Sequence, residues 1–220
     1  MPIEIKSTNT VGINGIKCLV YGDAGVGKTM LASTADNCII VATEQGLLSL
    51  RKFDLPYIEV NTIKDLSDSY ALCKKSEYKT IYVDSLSEIA EKALTNLKKT
   101  GEFRDMRQAY GAMADEIMAI IRMFRDIPQK NVVVTSKLIR RTDEDTGITT
   151  FEPGLPGKVL PYNLPYMFDL VLCLQRDKKG ERFIQTDGNS KIIAKDRSGT
   201  LEFKEKPDLN HIFNTILKDL

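Results

Sequence analysis

Apolar residues fall along this chain in two textures. Residues 16–21, 38–42, 80–85, 131–136 and 168–174 are short, nearly unbroken apolar runs, rich in Val, Ile, Leu, Cys and Tyr. Their length and β-prone composition predict strands buried within a sheet. Residues 56–60 predict one further short strand. Between the runs, apolar positions recur every third or fourth residue. Residues 65–75 predict a helix. Leu86, Ile89, Ala90, Ala93, Leu94 and Leu97 mark a second, and Ile117, Ile120, Ile121 and Phe124 a third. The last helix, within 207–220, carries Leu209, Ile212, Phe213, Ile216 and Leu217 on one face.

The texture changes after residue 136. Residues 137–165 hold Pro153, Pro156, Pro161 and Pro165, with a hairpin tip predicted at 142–147. Strands at 168–174 and 181–186 are joined by the turn Asp177-Lys178-Lys179-Gly180. Strands alternating with helices, then hairpins, predict an α/β fold: a mostly parallel twisted sheet flanked by helices, with an antiparallel C-terminal extension. One domain over 1–220 accommodates all of it, with 1–14 as a polar lead-in.

One stretch is neither strand nor helix. Gly22-Asp23-Ala24-Gly25-Val26-Gly27-Lys28-Thr29, with Met30 next, fits G-x-x-x-x-G-K-[ST] at every fixed position. It follows a predicted strand and opens a predicted helix at 29–35, the context this phosphate-cradling loop requires. Glycines let successive backbone N–H groups curl around a polyphosphate, and a helix N-terminus adds partial positive charge. Lys28 would reach the β- and γ-oxygens, and the Thr29 hydroxyl would ligate Mg²⁺. The expected ligands are therefore a nucleoside triphosphate and Mg²⁺.

Composition adds mainly exclusions. The 31 Lys and Arg against 30 Asp and Glu give a net charge of +1, so no global basic field advertises nucleic acid, and such contacts must be local. The start lacks the pattern of a signal peptide, and no apolar run approaches the roughly 20 residues of a spanning helix. The expected setting is cytoplasmic, with no membrane partner. Cys18, Cys38, Cys73 and Cys173 are widely spaced and His211 is single, which argues against a metal cluster.

Other chemistry collects at predicted strand ends. Asp84 closes the most apolar strand, where an acid holds Mg²⁺ through water or Thr29, or else caps the next helix. Glu44, past the second strand, either polarises the water that attacks the γ-phosphate or is a solvated loop acid. Thr135 and Ser136 either contact the γ-phosphate or satisfy the strand end. Lys195 and Arg197, two apart on an extended segment, would point the same way and could reach a neighbouring subunit's phosphates.

Val83-Asp84-Ser85, Glu44 and Ala194-Lys195-Asp196-Arg197-Ser198-Gly199 together resemble the RecA-like ATPase core. The last resembles the K-N-R finger of RadA and DnaB-type proteins, with Asp196 in place of Asn. More narrowly, Pro156-Gly157-Lys158 and Phe168-Asp169-Leu170-Val171 resemble segments of phage-encoded RecA-like ATPases, including the fourth Sak group of single-strand annealing proteins. The resemblance implies that the nucleotide is ATP, with ATP-bound subunits in a ring or filament on single-stranded DNA, acting in recombination or annealing. A single-strand binding protein would be a further partner. DNA would be met by two basic stretches: Lys98, Lys99, Arg104 and Arg107, with Phe103 or Tyr110 as a stacking face, and Lys137, Arg140 and Arg141. Two other readings stay open: a P-loop kinase of a small acceptor, and an annealing module in which ATP only controls assembly.

Overall fold

The apolar runs become the centre of one sheet. The computed structural model describes residues 14–100 and 105–218. Phe103, Arg104 and nearly all of the expected lead-in lie outside these residues. In chain order, β1 (Lys17–Gly22) leads into α1 (Lys28–Leu31), followed by β2 (Cys38–Ala42), β3 (Tyr57–Glu59), α2 (Ile63–Lys75) and β4 (Thr80–Asp84). Next come α3 (Leu86–Thr100), α4 (Met106–Arg125), β5 (Asn131–Thr142), β6 (Thr149–Gly154) and α5 (Val159–Asn163). The chain continues through β7 (Leu170–Arg176), β8 (Arg182–Gln185), β9 (Lys195–Asp196) and β10 (Lys204–Glu205) to α6 (Leu209–Lys218). No helix among the described residues is long and apolar enough to cross a membrane.

The strand order is β10-β8-β7-β1-β5-β4-β2-β3, with β6 added beside β5 and β9 beside β7. From β7 to β3 all neighbours are parallel. β6, β8, β9 and β10 pair antiparallel. The sheet is thus mostly parallel, mixed and flanked by helices, with the strand of the acid set apart from the strand of the loop by β5.

Strict alternation along the strands sorts the core into two. Leu19, Tyr21, Val83 and Val134 face α2, α3 and α4. Val20, Tyr82, Val133 and Leu172 face α1 and α6.

Two elements depart most from the expected bounds. The helix expected at 29–35 has a single α turn, then tightens over residues 32–34. Ser33 and Thr34 donate their hydroxyls to the carbonyls of Met30 and Leu31, at 2.8 and 2.7 Å, which competes with continuing the helix. The strand expected to end at Ser136 runs on to Thr142. Its second half leaves the parallel sheet and finds its backbone partners on β6, from Lys137↔Gly154 to Thr142↔Thr149. The antiparallel part of the sheet therefore begins well before the C-terminal segment.

Lys17 shows how tightly this end of β1 is tied. Its ammonium, in a residue only 5% exposed, donates to the carbonyls of Asn14, Ile127 and Lys130. Burial pulls its pKa down to about 8, which leaves it charged at neutral pH. Lys17→Met would leave these carbonyls without their donor. We expect it to cost about 1–3 kcal/mol of stability, read from the urea midpoint.

Candidate functional site

The glycine loop folds as a compact nest at the carboxyl end of β1. Gly25 and Gly27 have φ of +70° and +110°, in the region open to residues without Cβ. At Gly22 the constraint is space, because a Cβ there would lie 2.5 Å from the Leu174 carbonyl oxygen. Lys28 Nζ donates to the carbonyls of Gly22 and Asp23 at 2.8 and 3.0 Å. Tyr82, from the middle of β4, donates its hydroxyl to the Lys28 carbonyl at 2.5 Å and fixes the first turn of α1. Ala24, Gly25, Gly27, Lys28, Thr29 and Met30 line a cleft of about 670 Å³. Asp23 and Val26 are not in that lining and border a smaller void instead.

Opposite the loop stands Asp84. The register pairs Ala42 with Asp84 and Val83 with Val134, so the acid stands beside Thr135. Its Oδ2 accepts from the Thr29 hydroxyl at 2.6 Å and its Oδ1 from the Thr135 hydroxyl at 2.5 Å. Burial raises the Asp84 pKa. The two hydroxyls pull it back, Glu44 adds to the rise and Lys28 opposes it. Burial likewise lowers the Lys28 pKa, while Asp84 and Glu44 counter that. Adjacent carboxylate and hydroxyl oxygens, beside an ammonium and a nest of N–H groups, are hard donors suited to Mg²⁺ and a phosphate chain. Thr29 and Asp84 would hold the ion.

Glu44 joins the same cleft from the loop after β2. The Ser85 hydroxyl donates to its Oε1. The backbone around it is pinned to β4: Thr43 N–H donates to the Asp84 carbonyl at 2.8 Å, and the Thr43 hydroxyl donates to the Ser85 carbonyl at 2.7 Å. The Lys92 ammonium donates to the Thr43 carbonyl at 2.7 Å. An exposed carboxylate is thus fixed at its base, and its other oxygen has no hydrogen-bond partner among the described residues.

Other expected residues lie elsewhere. Thr135 gives its hydroxyl to Asp84 and is not among the described residues that line the cleft. Ser136 takes the opposite face of β5 by alternation; it is fully buried, and its hydroxyl has no partner among the described residues. The next residue returns to the cleft. Lys137, expected at a DNA surface, lines the cleft and pairs with Glu91 at 2.5 Å. Arg140 lies over the Phe151 ring at 5.7 Å, and Arg141 pairs with Glu152 at 2.6 Å. Lys98 and Lys99 end α3, Lys98 standing 5.9 Å over the Tyr110 ring, and Arg107 is exposed at the start of α4.

Lys195 and Arg197 stand at the far end of the sheet. Val171 pairs with Lys195 near the start of β7. Lys195 Nζ donates to the Pro165 carbonyl at 2.8 Å, and Arg197 pairs with Asp169 at 3.0 Å. A seven-residue strand spans roughly 20 Å, so neither residue serves its own chain's cleft. Two further residues of the cleft had no role from the sequence: Ser85, named only within the Val83-Asp84-Ser85 resemblance, and Arg182, which enters from β8. Arg182 flanks a turn that was legible, but nothing in the order of residues says what that turn overhangs.

Fold and cleft together define a P-loop domain of the nucleotide-binding ATPase class. Residues 14–198 match a family of AAA domains, AAA_24, and the chain belongs to that family. No curated protein matches the chain closely enough to count as a relative. Among solved structures it is similar to the KaiC-like protein PH0186 from the hyperthermophilic archaeon Pyrococcus horikoshii OT3. The two share 16% identity over 78% of this chain and 77% of that one, with a TM-score of 0.46.

A buried carboxylate costs stability that a neutral isostere does not. Asp84→Asn should therefore melt at the same or a higher temperature than the parent without nucleotide. The magnesium-dependent part of its ATP affinity should vanish, which titration with and without Mg²⁺ would measure.

Proposed function

We propose that this domain hydrolyses ATP and acts on single-stranded DNA in recombination or annealing, in the manner of the phage-encoded RecA-like and Sak-group proteins it resembles. The observation that carries the reading is the convergence of Lys28, Thr29, Asp84 and Glu44, from the ends of three strands, on one cleft. Lys28 would neutralise the β- and γ-oxygens, and Thr29 and Asp84 would hold Mg²⁺. When bound, the ion supplies positive charge against the leaving phosphates. Glu44, steadied by Ser85 through one oxygen, would orient the attacking water and accept its proton through the other.

Support for DNA comes from a second cleft, of about 660 Å³, bordered by Arg141, Lys158 and Lys195 and by Tyr162 and Tyr166. Both tyrosines are 69% exposed, and their ring centroids are 5.9 Å apart. Solvent-facing rings among cations suit the bases and phosphates of a single strand. The placement of Lys195 and Arg197, far from their own cleft, supports a role across a subunit boundary in a ring or filament.

Lys28→Ala should abolish ATP hydrolysis. Glu44→Gln should still bind ATP but turn over about 10²–10⁴-fold more slowly. Single-stranded DNA should raise the turnover of the parent, and the paired change Tyr162→Ala and Tyr166→Ala should remove that rise while keeping the basal rate. An ATPase rate indifferent to DNA at low salt would refute the DNA assignment and leave the nucleotide site standing.

A further inference from the structure

The turn at 177–180 does more than join two strands. Asp177 accepts from the backbone N–H groups of Lys179 and Glu181 at 2.8 and 2.9 Å, and Gly180 N–H closes on the Asp177 carbonyl. The hairpin is therefore firmly shaped to its tip. Its register pairs Arg176 with Arg182. By alternation both share the face of Leu174 and Ile184, which is the face of α1 and the glycine loop. Arg176 donates to the Gly25 carbonyl at 2.9 Å, tying the hairpin to the crown of the loop.

Arg182 goes further in. Its Nε, Cζ and Cδ lie 3.3, 3.4 and 3.6 Å from where a Cβ on Gly27 would stand, so the side chain rests on the bare Cα of the loop. Among the described residues three cations line the cleft: Lys28, Lys137 and Arg182. Lys28 is held by loop carbonyls and Lys137 by Glu91. The Arg182 side chain has neither an ion pair nor a hydrogen bond among the described residues. A guanidinium with five donors, held by packing against backbone and aimed into an anion-binding nest, matches phosphate oxygens.

We propose that the β7–β8 hairpin is a clamp on the nucleotide, in which Arg182 contacts the phosphate chain bound by its own subunit and Arg176 positions the hairpin. The inference rests on the cleft binding a nucleoside triphosphate, and needs neither hydrolysis nor DNA. The arginine comes from the same chain as the loop, so its contribution to binding does not depend on assembly. It is thereby distinct from the basic pair at the far end of β7.

The test is equilibrium binding of a fluorescent ATP analogue, with inorganic triphosphate as competitor. The parent, Arg182→Ala, Arg182→Lys, Arg176→Ala and the Arg176→Ala, Arg182→Ala double variant are compared. Arg182 is exposed, so its replacement leaves the fold intact, as the thermal midpoint will check. Arg182→Ala should weaken binding about 10–100-fold, the scale of one or two charge-assisted hydrogen bonds, and equally at protein concentrations below and above self-association. Inorganic triphosphate should lose affinity in parallel, and Arg182→Lys should recover part of the loss. Arg176→Ala should weaken binding less, and the double variant should bind no worse than Arg182→Ala, because the tether acts only through the clamp. Parent-like binding by Arg182→Ala overturns the proposal, as does a loss confined to the assembled protein or to the nucleotide without the inorganic competitor. A parent that binds no triphosphate at all marks failure of the nucleotide reading instead.

Discussion

One buried carboxylate joins the parts of the cleft. Asp84 sits at the end of β4, and its two oxygens are shared between a hydroxyl from the first turn after the glycine loop and one from β5. The Tyr82 hydroxyl on the Lys28 carbonyl is a second tie from β4 to the loop, and β5 runs beside β1 up to Gly22, so acid and loop are held to one frame. The Asp84 charge is costly where it lies, and the two hydroxyls only partly offset the burial. The arrangement persists because register dictates it. β4 lies between β2 and β5 with every pair in step, and a slip of one residue would turn Asp84 to the opposite face. Stability is thus given up at one position to keep a charged group where a cation can use it.

The same alternation divides labour between the two faces. Tyr82 and Thr135, on the face of α1, support the loop and the acid. Tyr21, on the other face, donates its hydroxyl to the carbonyls of Phe151 and Ile193 and binds the distal segments to the core. Ser136 and Lys137 are adjacent in sequence, yet one is buried under the helices and the other borders the cleft. Short range along the chain therefore says little about short range in space.

Positive charge is distributed along the length of β7. Arg176, at its carboxyl end, touches the glycine loop, while Arg197, past its amino end, is held by Asp169. A strand of this length separates the two beyond the reach of any side chain. Cations near the loop border its cleft, whereas Lys195 and Arg197, at the other end, are held by the Pro165 carbonyl and by Asp169.

Much of this was legible from the residues alone. The fixed positions of the glycine loop announce a backbone shape that few side chains allow, so local chemistry suffices to read it. The unbroken apolar runs declare buried parallel strands, because only strands covered on both faces can afford no polar alternation. Glu44 and Asp84 stood out as acids at the ends of such strands. The length of α1 was not legible, since it turned on which carbonyls Ser33 and Thr34 would capture. Nor was the reach of β5, which depends on β6 arriving alongside. The parting of Ser136 from Lys137, and the entry of Arg182 above Gly27, follow from register and from the order of strands across the sheet. Sequence by itself determined the shape of the loop and the identity of its strands, because those are written in the sterics of adjacent residues. Tertiary structure alone decided which distant side chains share the cleft, because pairing between strands far apart in the chain sets what each one faces.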